Sequence, residues 1–249
     1  MKDIIKEAAK LITKSGKTVA LTGAGISVES GIDPFRGEAG IWKKYKPEEY
    51  ATIEAFMANP TKVWKMLKEL GATITNAQPN QAHKALAELE TMGKLSTIIT
   101  QNVDGLHQKA GNTHVIELHG NNRQLKCLEC EQIHPVSRDK IEKIPPRCSC
   151  GGILRPDVVF FGEPLPAYAI QYASQQALAA DLMLVIGTSA IVYPAASIPI
   201  LAKGAGARII EINQEETSFT GTISDFLLKG KAGEIMSKLL KQIKEEMQH

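Results

Sequence analysis

Apolar positions along this chain follow two rhythms. Over 3–14, Ile4, Ile5, Ala8, Leu11 and Ile12 recur at helical spacing, as do Ala82, Ala85, Leu86 and Leu89 over 81–92. Ile235, Met236, Leu239, Leu240 and Ile243 form a third stripe, which predicts an amphipathic helix over 232–247. Short apolar runs at 17–22, 96–100, 181–186 and 208–212, with the alternating 114–119, read as strands. The stretch 41–75 holds helical pieces carrying Trp42, Tyr45, Phe56 and Trp64, and Pro79-Asn80 breaks the chain after it. An Ala-rich helix is expected over 194–205 despite Pro199. Strands alternating with helices predict an α/β fold, a parallel sheet covered on both faces.

The predicted strands end in small polar residues: Gly23-Ala24-Gly25-Ile26-Ser27, Gln101-Asn102-Val103-Asp104, Gly187-Thr188-Ser189 and Asn213-Gln214-Glu215. Open parallel sheets bind ligands outside the carboxyl ends of their strands, so these endings dress one rim for binding. Gly23-Ala24-Gly25 at a strand-to-helix turn lets backbone approach a pyrophosphate, although it lacks the full Gly-x-Gly-x-x-Gly spacing. The endings at Gly187 and Asn213 shift the reading toward a dinucleotide. Glu211 or Asn213 is then a candidate acceptor for an adenosine ribose hydroxyl.

Composition narrows the class. Of 249 residues, 43% are hydrophobic and 22% charged, which fits one large domain or one domain with an insertion. Lys+Arg 29 against Asp+Glu 27 leaves a net charge of +2, no mandate for nucleic acid or an anionic membrane. No apolar run is long enough to span a bilayer, and the first residues interleave polar groups; a cytoplasmic protein without a secretory leader is expected.

All four cysteines lie between Cys127 and Cys150. Cys127-Leu128-Glu129-Cys130 and Cys148-Ser149-Cys150 read as two knuckles of a zinc ribbon, the second one residue short of Cys-x-x-Cys. His134 is the reserve fourth ligand if Cys148 and Cys150 cannot both reach. Four protein ligands leave no open position, so the metal is expected to be structural. Of the six histidines (His83, His107, His114, His119, His134 and His249), His119 stands apart because it ends a strand near the polar rim. A neutral imidazole there can take a proton from a ribose hydroxyl.

Taken together, these motifs resemble the sirtuin family of NAD-dependent protein-lysine deacylases. The resemblance runs from about Thr18 to about Glu234. Carrying it are the Gly23–Ser27 turn with Phe35-Arg36-Gly37, Pro79-Asn80-Gln81-Ala82-His83, and Thr100-Gln101-Asn102-Val103-Asp104-Gly105-Leu106-His107. It continues through Glu117-Leu118-His119-Gly120, the cysteine pairs, Leu154-Arg155-Pro156, Val158-Val159-Phe160-Phe161-Gly162-Glu163, and Gly187-Thr188-Ser189 with Val192-Tyr193-Pro194.

The resemblance implies a Rossmann-like large lobe (1–36, 79–122 and 155–249), a helical insertion (37–78) and a zinc-binding insertion (123–154), forming one catalytic domain. NAD lies between the lobes and an acylated lysine enters from the other side. Gly23, Ala24, Gly25 and Ser27 cradle the pyrophosphate, and Phe35 and Arg36 sit on a loop that closes over the cofactor. Gln101, Asn102 and Asp104 line the ribose and nicotinamide pocket. Gly187, Thr188, Ser189, Asn213, Gln214 and Glu215 hold the adenosine half, with Ala232 near the adenine. His119 is the general base for a ribose hydroxyl, with Asn102 and Asp104 beside it. The products implied are free lysine, nicotinamide and O-acyl-ADP-ribose. The substrate peptide adds as a strand between Gly162-Glu163 and Val192-Tyr193, a main-chain recognition that tolerates many sequences. Val159 and Phe160 are candidate walls of the acyl-lysine channel. Cys127, Cys130, Cys148 and Cys150 hold one zinc.

Three departures from the family pattern matter. The loop reads Gly31-Ile32-Asp33-Pro34-Phe35-Arg36 where the family has Gly-Ile-Pro-Asp-Phe-Arg, which moves the proline constraint from Ile32 to Asp33. The second cysteine pair is Cys-x-Cys. Family members that remove acidic acyl groups carry Tyr and Arg three residues apart on a small-lobe helix; here Leu67 and Leu70 align with them. Two leucines give a succinyl carboxylate no counter-charge, so acetyl or longer apolar acyl groups are expected. Competing readings are a mono-ADP-ribosyltransferase using the same cleft, and a non-catalytic reader; a zinc-ribbon nucleic-acid module is the weakest, since Glu129, Glu131, Asp139 and Glu142 dilute the local basic residues. Proteins bearing acetylated lysine are the expected partners, with no nucleic acid, no membrane and a monomeric state.

Overall fold

The computed structural model describes residues 2–37 and 40–248; His249 lies outside them. The chain opens with α1 (Lys2–Lys14) and β1 (Thr18–Thr22), followed by a 3-10 helix at Ala24–Ser30. Helices α2 (Pro47–Tyr50), α3 (Ile53–Ala58) and α4 (Pro60–Asn76) precede α5 (Gln81–Thr91) and β2 (Thr97–Thr100). Next come α6 (Leu106–Ala110), β3 (Val115–Glu117), β4 (Gly120–Cys127), β5 (Ile133–Pro135) and β6 (Leu154–Val158). The chain closes with α7 (Ala167–Leu178), β7 (Leu182–Ile186), α8 (Ser197–Gly204), β8 (Arg208–Asn213), β9 (Phe226–Lys229) and α9 (Ala232–Met247).

Six strands form a wholly parallel sheet in the order β3-β2-β1-β7-β8-β9. The strands β1, β2 and β7 are buried at every position because both faces are covered. On one face Ala20, Ile98, Leu184 and Ile210 pack under α1, α5 and α9; on the other Val19, Leu21, Met183 and Val185 pack under α7 and α8. The order reverses at β1 and β7, and their register sets Thr22 beside both Thr100 and Ile186. The carboxyl ends of β1, β2 and β7 therefore stop level, at a topological switch point.

A second sheet, antiparallel in the order β5-β4-β6, packs against the helical segment. Phe56, Val63, Trp64 and Met66 bury against Leu125, Cys127, Leu154 and Phe160. The Trp64 indole N–H donates to the Leu154 carbonyl at 2.9 Å, which satisfies the one polar atom of a side chain otherwise in the core. Asn59 and Asn80 cap α4 and α5 through their side-chain oxygens, as short polar residues before apolar-periodic runs should.

Several expectations shift. Ile4 on α1 faces solvent, and Ile5, Ala8, Ala9 and Ile12 are the buried set. The strand expected over 114–119 stops at Glu117, leaving His119 in the turn before β4. The helix expected from Pro194 starts at Ser197. The strands β4, β5, β6 and β9 and the helices α6 and α7 are additional to the elements that the apolar pattern predicts. Among the described residues no helix is long and apolar enough to cross a membrane.

Glycine is obligatory where the β1 and β7 loops meet. A Cβ on Gly25 would stand 2.7 Å from the Gly187 Cα, whereas one on Gly71, within α4, would meet nothing within 4 Å. Gly25→Ala is expected to cost about 1–3 kcal/mol by overpacking. Gly71→Ala is expected to stabilise by about 0.5–1 kcal/mol through reduced chain entropy in the unfolded state. Urea unfolding of the two variants checks both signs.

Candidate active site

The level strand ends turn into loops that grip one another. Gly23 N–H donates to the Ile186 carbonyl at 3.0 Å and Gly25 N–H to the Gly187 carbonyl at 2.8 Å. Gly187 itself has φ +61°, and a Cβ there would lie 2.4 Å from the Ile26 nitrogen. Its lack of a side chain therefore serves the loop-to-loop contact first. Of the amides at 23–26, those of Gly23, Gly25 and Ile26 are taken by the chain.

Side chains from the next strand ends complete the rim. Asn102 Nδ2 donates to the Gly23 carbonyl at 3.1 Å and to Ser27 Oγ at 3.2 Å, and Ser27 Oγ donates to Asp104 Oδ2 at 2.7 Å. The Leu106 N–H donates to the other Asp104 oxygen at 2.9 Å. Burial pushes the Asp104 carboxyl above the ordinary carboxylate range, against the pull of these two hydrogen bonds. Gln101 Nε2 donates to Thr188 Oγ1 at 2.9 Å, and Asn213 Nδ2 donates to the Thr188 carbonyl at 2.9 Å. Four strand ends, those of β1, β2, β7 and β8, are thereby laced into one surface.

His119 joins this surface from the turn after β3. Its Nδ1 lies 2.8 Å from the Gln101 carbonyl. A carbonyl can only accept, so Nδ1 carries the hydrogen and Nε2 keeps a lone pair. Burial holds the imidazole below its ordinary value of 6.5, the Gln101 carbonyl opposing the shift. The ring is a neutral base at pH 7.

Both lobes contribute to one cleft of about 1870 Å³. Gly23, Ala24, Gly25, Gln101, Asn102, Asp104, His119, Gly187, Thr188, Ser189, Asn213, Gln214 and Glu215 line its sheet side. Leu67, Leu70 and Ile74 of α4, with Val136 and Ile141, line the facing wall. Asp33, Pro34, Phe35 and Arg36 border the mouth. There Phe35 stacks on Trp42 at 5.1 Å, and the Pro34 carbonyl accepts the Ile41 N–H at 2.9 Å. The exchanged Asp33-Pro34 pair is thus pinned to the following turn, with Asp33 exposed.

Two residues expected to touch a cofactor sit behind this surface. Ser27 is buried beneath Asp104 and Asn102, and Ala232 is buried at the start of α9; neither lines the cleft. Glu211 is not available to a ribose. It is buried and accepts the hydroxyls of Thr217, Thr220 and Ser224, which fold the 214–224 segment back over β8.

Val159, Phe160, Gly162, Glu163, Val192 and Tyr193 all border the cleft. Phe160 is nonetheless a small-lobe core residue, against Phe56 at 5.2 Å and beneath the Arg155 guanidinium at 4.8 Å. Its neighbour Phe161 is exposed toward Trp42, ring centroids 6.3 Å apart. Sequence reasoning did not assign Trp42 or Phe161 to the site. The only available signal was that adjacent residues of an extended segment must point opposite ways. Glu163 spends its carboxylate on Arg155, at 2.5 and 2.6 Å, and on the Phe160 N–H at 2.8 Å. Only main chain is left for a partner at 162–163.

The cysteine pairs converge in the small lobe, all four Sγ atoms within 4.8 Å of one another. Cys127–Cys150 and Cys130–Cys150 are 3.5 Å apart and Cys130–Cys148 is 3.7 Å. A tetrahedron with Zn–S bonds of ~2.3 Å has edges of about 3.8 Å, so the set fits one structural zinc. The short Cys-x-Cys pair reaches, and His134 is not needed as a ligand; its Nε2 lies 3.2 Å from Cys148 Sγ.

A doubly wound parallel sheet with polar strand ends flooring a cleft at its switch point, and a zinc-ribbon lobe over it, defines a Rossmann-like dinucleotide-binding class. Residues 23–194 match the model of the Sir2 family. A protein named NAD-dependent protein deacylase 2 from Pyrobaculum aerophilum is 49% identical over 240 residues, covering 96% of each chain. The NAD-dependent protein deacylase of Thermococcus kodakarensis is 48% identical over 251 residues, covering 98% of this chain and 97% of that one. Among solved structures, a Sir2 homologue–ADP ribose complex superposes with TM-score 0.93 at 47% identity, covering 97% of each chain. A Sir2–p53 peptide–NAD+ complex does so with TM-score 0.88 at 37% identity, covering 96% and 98%. The chain belongs to the Sir2 family, the sirtuins.

The thiolate cluster generates one prediction. Elemental analysis should find one zinc per chain, and Cys130→Ser should lose it. Stripping the metal with a chelator should lower Tm and activity together, because the small lobe forms half of the cleft. A folded, metal-free protein with full activity would contradict this.

Proposed function

We propose that this chain is an NAD-dependent protein-lysine deacetylase. It transfers the acyl group of N6-acetyl-lysine to ADP-ribose, releasing nicotinamide and O-acetyl-ADP-ribose. The observation that carries the reading is His119: a neutral imidazole whose Nδ1–H is committed to the Gln101 carbonyl, on the wall of a two-lobed cleft. Kinship with proteins named NAD-dependent protein deacylases supports it.

In this reading Gly23, Ala24 and Gly25 border the pyrophosphate, with Ser27 supporting them from beneath. Phe35 and Arg36 cover the cofactor from the mouth. Gly187, Thr188, Ser189, Asn213, Gln214 and Glu215 take the adenosine half, with Ala232 behind it. Bound NAD supplies a ribose carbon that becomes electrophilic as nicotinamide leaves. Asn102 and Asp104, already oriented through Ser27, hold the nicotinamide ribose with Gln101. His119 Nε2 takes the proton from a ribose hydroxyl, and the Gln101 carbonyl stabilises the imidazolium that results. Main chain at Gly162, Glu163, Val192 and Tyr193 holds the substrate peptide as an added strand. Val159 and the ring edge of Phe160 flank the acyl-lysine, and Phe161 faces it from the Trp42 side.

Leu67 and Leu70 supply an apolar end to the acyl pocket, which favours acetyl and longer apolar groups over succinyl and malonyl. The lobe boundaries of this reading are 1–36, 79–122 and 155–249 for the large lobe, with insertions 37–78 and 123–154. The reading includes a monomeric enzyme of the cytoplasm acting on acetylated proteins; clustered cysteines without a disulfide suit a reducing compartment, and a net charge of +2 gives nucleic acid no electrostatic footing.

His119→Ala should lower kcat by at least about 100-fold, the scale of general base catalysis, while leaving the unfolding midpoint near wild type. Because the folded pKa of His119 lies below 6.5, activity should be fully present at pH 7 and fall only as pH drops beneath that value. Unchanged turnover in the variant removes His119 from its role. In a separate assay, acetyl-lysine peptide with NAD should yield nicotinamide and O-acetyl-ADP-ribose by mass. The succinyl-lysine twin should turn over more slowly; faster turnover would refute the apolar pocket.

A further inference from the structure

One sulfur of the thiolate cluster has a neighbour that the four-cysteine set does not require. His134 Nε2 lies 3.2 Å from Cys148 Sγ, and Lys140 Nζ lies 3.1 Å from the other ring nitrogen, Nδ1. Among the described residues, no other sulfur of the cluster has a side-chain nitrogen within hydrogen-bond distance. Strand register brings the imidazole there. His134 pairs with Leu125 of β4, and its neighbours Ile133 and Pro135 are exposed.

Donor and acceptor rules fix the polarity of these two contacts. A lysine ammonium has three donors and no acceptor, so His134 Nδ1 offers Lys140 a lone pair. The neutral ring then carries its hydrogen on Nε2 and donates it to Cys148 Sγ. A protonated Nε2 has no lone pair for a metal. Lys140 therefore bars His134 from the ligand set that four cysteines complete. A metal-ligating histidine instead donates from its second nitrogen to a carboxylate or carbonyl, the reverse of what Lys140 imposes. Four thiolates on a divalent zinc also leave two uncompensated negative charges. A hydrogen bond to one sulfur, backed by an ammonium, offsets part of that charge.

The same contacts reach the cleft. Lys140 belongs to a turn in which Ser137, Arg138 and Ile141 border the cleft beside Val136. The Ile141 N–H donates to the Ser137 carbonyl at 3.3 Å, and Lys68 of α4 donates to the Glu142 carbonyl at 3.2 Å. The turn is thus tied to α4 on one side and, through Lys140 and His134, to a zinc thiolate on the other. We infer that His134 is a positioning residue for the metal: its Nε2–H donates to the Cys148 thiolate, Lys140 fixes that tautomer, and these contacts couple the zinc to the 136–141 wall of the cleft. None of this depends on the deacylation proposed above.

Nitrogen-15 NMR of the zinc-loaded full chain, labelled at histidine, reads the polarity. His134 should be the Nε2–H tautomer, and an Nδ1–H tautomer overturns the assignment. Zinc-edge X-ray absorption should find four sulfur neighbours; three sulfurs and a nitrogen would make His134 a ligand and overturn it as well. Competition with a chromophoric chelator measures the hold on the metal. His134→Ala should weaken zinc affinity about tenfold or more, the usual scale for losing such a contact. Lys140→Met, which keeps the imidazole but frees its tautomer, should weaken it less. His134→Gln, which keeps an N–H donor, should recover part of the loss. Wild-type affinity in both His134→Ala and Lys140→Met overturns the hold, and a wild-type chain that binds no zinc overturns it together with the structural metal. Hydrogen exchange at saturating zinc tests the coupling. Amides of 136–141 should exchange faster in both variants while those of β1, β2 and β7 keep wild-type rates. Unchanged exchange over 136–141 overturns the link to the cleft wall.

Discussion

The site depends on two stretches of backbone meeting where no side chain fits. Gly25 N–H on the Gly187 carbonyl joins the loops after β1 and β7, and neither glycine accepts a Cβ without a clash against main chain. The contact sits where the parallel sheet reverses its strand order, the place at which neighbouring loops otherwise diverge. With the two loops closed on each other, Asn102 can brace Gly23 and Ser27 while Gln101 and Asn213 brace Thr188. The surface facing the cleft is then set by hydrogen bonds among strand ends rather than by loose loops, so its polar groups are preorganised.

The facing wall has a different origin. Residues 41–76 and the three-stranded sheet share a core of Phe56, Trp64, Leu125, Leu154 and Phe160, with Cys127 and Cys148 at its edge. So small a unit buries little apolar surface, and a four-thiolate metal site supplies the missing cohesion. Main-chain hydrogen bonds between Ala51, Ile53 and Phe161 tie this lobe to the 158–163 segment that borders the cleft.

Much of this was legible from residue order. The buried parallel strands announce themselves as apolar runs ending in glycine or amide residues, and the sheet's dressed rim follows from those endings. The cysteine spacing foretold the four-thiolate cluster, with the short second pair reaching after all. What stayed hidden depends on burial that sequence does not encode. Glu211 looks like a ribose acceptor, yet three hydroxyls between Thr217 and Ser224 consume it. Phe160 and Phe161 are chemically alike, and only the packing of Arg155 and Phe56 separates the core ring from the exposed one. Strand β9 escaped the pattern because it is a four-residue edge strand in which only Leu228 is buried. Helix α7 escaped because alanine and glutamine leave a weak stripe.

The cleft's two walls belong to separate hydrophobic cores, and that separation has an evolutionary consequence. A substitution at Leu67 or Leu70 disturbs contacts within the small lobe and leaves the hydrogen-bonded strand ends untouched. The two walls can therefore diversify independently, because one helix face can be remodelled without disturbing the hydrogen bonds of the other wall. By the same token, change at Thr22, Thr100 or Gly187 propagates through the larger core at once. One wall of this cleft is free to explore and the other is held still.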